Sequence, residues 1–122
     1  MIYPANKKGD TFITPEEVNE IYQHAFYKTK HLKKLTLGDA ISKIGYRAFA
    51  LSNIESVNIP TNTNRIELDV FLYCGVKELY IPKWVVSIEM SSNTMGNVNP
   101  YKDITLLVDK GSYAEKMCIE TN

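Results

Sequence analysis

The chain has 122 residues, 44% of them apolar, and its fourteen basic side chains balance fourteen acidic ones. That length and apolar share suit a single domain with one elongated core, and the neutral balance excludes a global field aimed at nucleic acid or an anionic membrane, leaving only local attraction. No apolar run approaches the roughly 18 residues that span a bilayer, so no membrane insertion of this segment is expected.

In chain order, residues 1–11 place the turn Lys8-Gly9-Asp10 between an extended Ile2-Tyr3-Pro4 and the apolar Phe12-Ile13, which reads as an N-terminal cap entered through a hairpin-like turn. Ile2-Tyr3-Pro4 also resembles the last strand of a preceding repeat, so the chain is expected to be a piece of a longer, exported protein, although Met1 to Pro4 lack the basic start and apolar stretch of a signal peptide. Residues 12–34 form a first repeat whose inward positions are Phe12, Thr14, Val18, Ile21, Ala25, Phe26 and Leu32. Residues 35–56 are the cleanest copy, with Leu35, Leu37, Ile41, Ile44, Ala48, Phe49 and Ile54 pointing in. Residues 57–78 keep Val57, Ile59, Ile66, Phe71 and Val76 but set Thr63 inward, where its hydroxyl needs a backbone partner. Residues 79–103 start faithfully at Leu79-Tyr80-Ile81-Pro82 and degenerate at Ser92-Asn93, followed by a polar surface loop from which Met95 or Val98 could fill the vacated aromatic slot. Residues 104–122 predict a strand at Ile104 to Val108, about five residues late, and a capping box at Ser112-Tyr113-Ala114-Glu115 that opens a short helix closing the core.

The copies hold a fixed register. Phe12, Leu35, Val57 and Leu79 share one repeat position with steps of 23, 22 and 22 residues, and Ile21, Ile44, Ile66 and Ile88 share another. Pro15, Gly38, Pro60 and Pro82 keep the same steps, and Ala25-Phe26 recurs as Ala48-Phe49 and Val70-Phe71. A period in the low twenties with a short apolar-x-apolar run predicts a leucine-rich solenoid, one short strand per turn lining a concave parallel sheet.

The unit Leu35-Thr36-Leu37-Gly38, Ile41, Ile44, Ala48-Phe49, Ser52, repeated as Val57-Asn58-Ile59-Pro60, Ile66, Val70-Phe71, Cys74, resembles the BspA-like leucine-rich repeat family over about residues 12–118. The closing Gly111-Ser112-Tyr113-Ala114-Glu115 is similar to that family's C-terminal end. Departures are the Ser92-Asn93 break, Gly38 in place of proline, and Thr29 and Ser52 in the cysteine position. The resemblance implies an α/β-type, right-handed solenoid with turns or short helical segments on its convex side. It also implies a bacterial or protist surface or secreted protein, with adhesive or interaction roles.

Equivalent positions on neighbouring turns lie about 4.8 Å apart, so every position becomes a ladder. Lys33, Glu55 and Lys77 form an alternating charged ladder, and His24, Arg47 and Asp69 another. The second could be read as a catalytic group, but it lacks a nucleophile and arginine separates the other two; a solvated face compatible with stacking is the plainer reading. Cys74 shares its position with Thr29 and Ser52, which marks a buried structural thiol rather than a nucleophile. His24, His31, Cys74 and Cys118 are too dispersed over the turns to bind zinc, two cysteines without CxxC spacing make no disulfide framework, and no cofactor motif is present. Tyr22, Tyr27, Tyr46 and Tyr73 sit at turns, where they cover core edges or stack as a carbohydrate platform. The candidate ligand-binding strip is the outward face of the concave sheet: Lys34, Thr36, Ser56, Asn58, Glu78 and Tyr80, with Ile13 on the first turn. It suits a protein or polysaccharide partner, with Tyr80 as the amphipathic anchor. A structural spacer that stacks end to end, without a ligand of its own, is the alternative.

Overall fold

The computed structural model describes residues 9–89 and 104–121, with side chains as far as Met117. Successive turns of the coil pair in parallel through strands of two to four residues. A first sheet orders β1 (Thr11–Ile13), β3 (Lys34–Thr36) and β5 (Ser56–Val57). Its register, Phe12 to Leu35 to Val57, is the one the repeat spacing predicts. β7 (Glu78–Ile81) lies beside β5 and pairs with β9 (Thr105–Val108), Leu79 facing Leu106, in a two-stranded sheet that continues the layer of the first. The late fifth strand therefore rejoins the stack in full register, 27 residues after its equivalent instead of 22.

A second ladder adds a strand per turn that the repeat pattern did not announce. β2 (Glu20–Ile21), β4 (Lys43–Ile44), β6 (Arg65–Ile66) and β8 (Ser87–Ile88) form a four-stranded parallel sheet with Ile21, Ile44, Ile66 and Ile88 aligned. Two residues are too short a run to display strand alternation, so these positions read from sequence only as inward isoleucines. The remaining side of the first three coils is turn rather than helix.

Those turns are stitched together by alternating amides. The N–H groups of His24, Phe26 and Lys28 donate to the carbonyls of Tyr46, Ala48 and Ala50, and those of Arg47, Phe49 and Leu51 to Leu68, Val70 and Leu72, at 2.7–3.1 Å. The intervening amides of Ala25, Tyr27 and Thr29 close locally onto Tyr22, His24 and Phe26. This pattern places His24, Lys28, Arg47, Leu51, Asp69 and Tyr73 in the left-handed region, with φ between 52° and 59°. Such a conformation costs a non-glycine residue on the order of 1 kcal/mol, which the inter-turn bonds donated by His24, Lys28, Arg47 and Leu51 offset. One glycine is required by proximity instead: a Cβ on Gly45 would lie 2.6 Å from the Gln23 nitrogen and 2.8 Å from the Ile21 carbonyl oxygen.

Inside the coil, Phe26, Phe49 and Phe71 stack as a ladder with ring centroids 5.6 Å apart at 52°, and Phe12 closes the first end at 6.3 Å from Phe26. The aliphatic rows Leu35, Leu37, Ile41, Ile44, Ile54 and Ile66 surround it, all buried. The inward hydroxyl of Thr63 donates to the Ile41 carbonyl at 2.7 Å, Ser52 donates to Phe49 at 2.7 Å, and Thr14 accepts the Gly38 amide at 2.8 Å. The Thr29 hydroxyl is buried without a partner among the described residues.

The C-terminal helix α1 runs Tyr113–Thr121, opening where the capping box predicts. Ser112 caps it by accepting the Glu115 amide at 3.1 Å, while the Glu115 carboxylate reaches the Gly111 amide at 3.1 Å rather than that of Ser112 itself. Ala114 and Met117 pack into the core. The vacated aromatic slot at Ser92-Asn93, the loop after it with Met95 and Val98, residues 1–8 and the Cys118 side chain lie outside the described residues.

Phe49 touches both neighbours in the ladder, so Phe49→Ala should cost about 3–5 kcal/mol, read as a lowered denaturation midpoint. A midpoint within error of the parent chain would show that Phe49 is not part of the core.

Candidate interaction surface

Strand alternation decides which side chains the first sheet offers. In β3, Leu35 is buried between exposed Lys34 and half-buried Thr36, and in β7 buried Leu79 lies between exposed Glu78 and Tyr80. Two outward rows result. One holds Thr11, Lys34, Ser56, Glu78 and Thr105; the other holds Ile13, Thr36, Asn58, Tyr80 and Leu107. All six predicted strip residues thus share one face. Leu107 extends the second row, a position hidden by the five-residue delay before β9. Ile13 is 67% exposed, Tyr80 46% and Leu107 45%, so apolar area stands at both ends of that row.

Two polar groups of the strip are already engaged. The Asn58 carboxamide accepts the Leu37 amide at 2.7 Å and donates to the Leu37 carbonyl at 3.0 Å. On the preceding turns the equivalent bond runs from the Thr14 amide to the Thr36 carbonyl, so the Asn58 side chain replaces a backbone rung where β5 stops at Val57. The Tyr80 hydroxyl donates to Asp109, with its two carboxylate oxygens at 2.8 and 3.0 Å, and one of these oxygens also accepts the Lys83 amide at 2.8 Å. That hydrogen bond to Asp109 holds the Tyr80 phenol above its ordinary pKa, with desolvation and the carboxylate charge acting the same way. Asp109 carried no signal in the sequence, because only the delayed register places it beside Pro82.

The second sheet turns a closed ionic face outward. Lys43 pairs with Glu20 at 2.8 Å, and Arg65 with Glu89 at 2.7 Å and Glu67 at 3.5 Å. The hydrogen bond to Glu20 raises the Lys43 pKa, and that to Glu89 raises the Arg65 pKa. Glu20, Lys43 and Arg65 keep the 23 and 22 residue steps, so this network was readable as a charged ladder. Of the ladders the sequence suggested, Lys33 and Glu55 meet at 3.7 Å. Arg47 meets Asp69 at 3.5 Å, but His24 turns away to the ring edges of Tyr27 and Tyr46, at 4.9 and 5.4 Å between centroids. The three residues of the second ladder are therefore not gathered into one group. Cys74 is half-buried, and burial pushes its thiol pKa up, away from the nucleophilic thiolate. Among the described residues, no group of three or more His, Cys, Asp or Glu side chains could hold a metal ion.

A family model described as a BspA type leucine rich repeat region, with six copies, matches residues 5–97. Among solved structures, the chain is similar to the pneumococcal vaccine antigen PcpA, with 34% identity and a TM-score of 0.68 over 71% of this chain and 22% of that one. It is also similar to a leucine-rich repeat protein from Eubacterium ventriosum, with 17% identity and a TM-score of 0.57 over 83% of this chain and 32% of that one, a likeness of fold alone. The chain thus spans about a fifth to a third of the length of these two structures. No curated protein matches it.

Asn58→Ala removes both bonds to Leu37 and should cost about 1–3 kcal/mol in a denaturant titration; an unchanged midpoint would show that the backbone closes this rung unaided. For Tyr80 the sign follows from a folded pKa raised above the unfolded value of about 10. The link to Asp109 contributes stability below that value and loses it as pH rises through the folded pKa. Asp109→Asn should return the Tyr80 titration, followed by NMR of its ring carbon, toward about 10.

Proposed function

The chain belongs to the BspA-type leucine-rich repeat family, and on that premise we propose that it is a non-catalytic interaction module that meets a partner protein along the outward face of the first sheet. Members of this family typically serve as interaction or structural repeat modules. The observation that carries the proposal is the row Ile13, Thr36, Asn58, Tyr80 and Leu107, whose exposed apolar ends flank groups held rigid by Leu37 and Asp109. A preorganised row loses little side-chain entropy on binding, and the aromatic and aliphatic side chains supply the desolvated anchors that protein interfaces use. Lys34 and Glu78 beside them add charges of both signs for orientation. Similarity to a pneumococcal vaccine antigen supports placement on a cell surface, or in secreted form, as part of a longer protein.

The non-catalytic reading is supported by the engagement of the polar side chains that sequence singled out: His24 with tyrosines, Arg47 with Asp69, and Cys74 with its thiol pKa raised. An array of host-surface proteins and neutral glycans, probed with the chain and with the triple variant Ile13→Ser, Tyr80→Ala, Leu107→Ser, tests the proposal. Protein signal that falls at least about tenfold in the triple variant but survives in Tyr22→Ala with Tyr73→Ala, on the turn side, is the expected result. Signal that survives the triple variant would remove this face, glycan signal lost in its place would change the partner class, and silence across the array would favour the structural spacer.

A further inference from the structure

The chain is neutral as a whole, yet five basic side chains fall within the seven residues 28–34: Lys28, Lys30, His31, Lys33 and Lys34. All five are exposed, because buried Thr29 and Leu32 are the inward positions of this corner and push their neighbours out. The corner links the turn side of the first coil to β3. Its acidic surroundings are Asp10, whose carbonyl accepts the Lys33 and Lys34 amides, and Glu55, which pairs with Lys33 at 3.7 Å. Lys28 lies over the Tyr27 ring, 5.4 Å from its centroid, and Lys30 donates to the Leu51 carbonyl at 3.3 Å. Neither bond consumes the positive charge, and among the described residues Lys28, Lys30 and Lys34 face no carboxylate within salt-bridge distance.

We infer that this corner is a second binding surface, for a linear polysaccharide carrying sulfate or carboxylate groups. Three observations select that class. The cations are lysines, point charges on flexible stems that suit anionic groups of variable spacing, whereas Arg47 and Arg65 are both committed to carboxylates. Among the described residues, the nearby tyrosine faces are occupied, Tyr27 by Lys28 and Tyr46 by Arg47, so no open tyrosine face is offered here for the base stacking that single-stranded nucleic acid uses. Asp10 and Glu55 interrupt the positive field, which a densely charged phosphate backbone would meet at every register and a polysaccharide with separated anionic groups can straddle. The surface shares only Lys34 with the first-sheet strip, so it can be tested independently of the protein partner.

The test uses heparin as the sulfated probe, dextran as the neutral one and a single-stranded oligonucleotide as the phosphate one. The corner variant, which spares the shared Lys34, is Lys28→Gln, Lys30→Gln, Lys33→Gln; the charge control is Lys83→Gln, Lys110→Gln, Lys116→Gln, three exposed lysines elsewhere. At about 50 mM salt, heparin affinity should fall at least about tenfold in the corner variant and less than about threefold in the control, with the salt slope reduced by about two to three. Glu55→Gln, which frees Lys33, should raise heparin affinity about two- to fivefold, a gain that misfolding cannot mimic. Dextran should not bind. Equal losses in the two triple variants, no heparin binding by the parent chain, or oligonucleotide binding as tight as heparin through the same lysines would overturn the assignment.

Discussion

Everything in this molecule depends on one coil of chain lying flat against the next at the spacing of a parallel ladder. A coil of 22 or 23 residues is too small to bury its own apolar side chains, so its core exists only between neighbours. The first sheet, the second sheet and the alternating amides of the turns all bridge consecutive coils. The phenylalanine ladder follows from that spacing, since Phe26, Phe49 and Phe71 repeat one geometry at 5.6 Å. Gly45 marks how close the backbones come, with no room for a Cβ against Ile21 and Gln23.

The same bridging explains where polar side chains are tolerated inside. Thr14, Ser52 and Thr63 each reach a backbone group, while Thr29 occupies the equivalent of Ser52 with its hydroxyl unpartnered, a small weakness in the first coil. Left-handed residues at the turns are held by inter-coil bonds rather than by their own preferences. Their side chains then project from the edge, which is why Lys28 and Arg47 lie over the rings of Tyr27 and Tyr46.

With the inward rows dictated by packing, recognition is left to the outward rows, and these differ in character. The second sheet closes its charges on one another through Glu20, Lys43, Arg65 and Glu89. The first sheet leaves apolar Ile13, Tyr80 and Leu107 open to solvent. The corner at residues 28–34 leaves lysine charge unneutralised. A repeat protein built this way can alter one surface without disturbing another, because each row belongs to a different side of the coil.

The sequence by itself determined the period, the register and the inward rows, because burial in a stacked coil demands an apolar residue at the same position every turn. Phe12, Leu35 and Val57 align as the spacing requires, Ile21 to Ile88 likewise, and the predicted strip residues share one face. Tertiary structure alone decided what depends on non-local partners. The second sheet needs neighbours to make strands of two-residue pieces; the Asn58 rung needs Leu37 opposite; the Tyr80 to Asp109 link needs β9 to rejoin after its delay. The left-handed turns carry ordinary residues such as Arg47 and Leu51, whose backbone angles are set by amides on the adjoining coil and so leave no mark in their own letters.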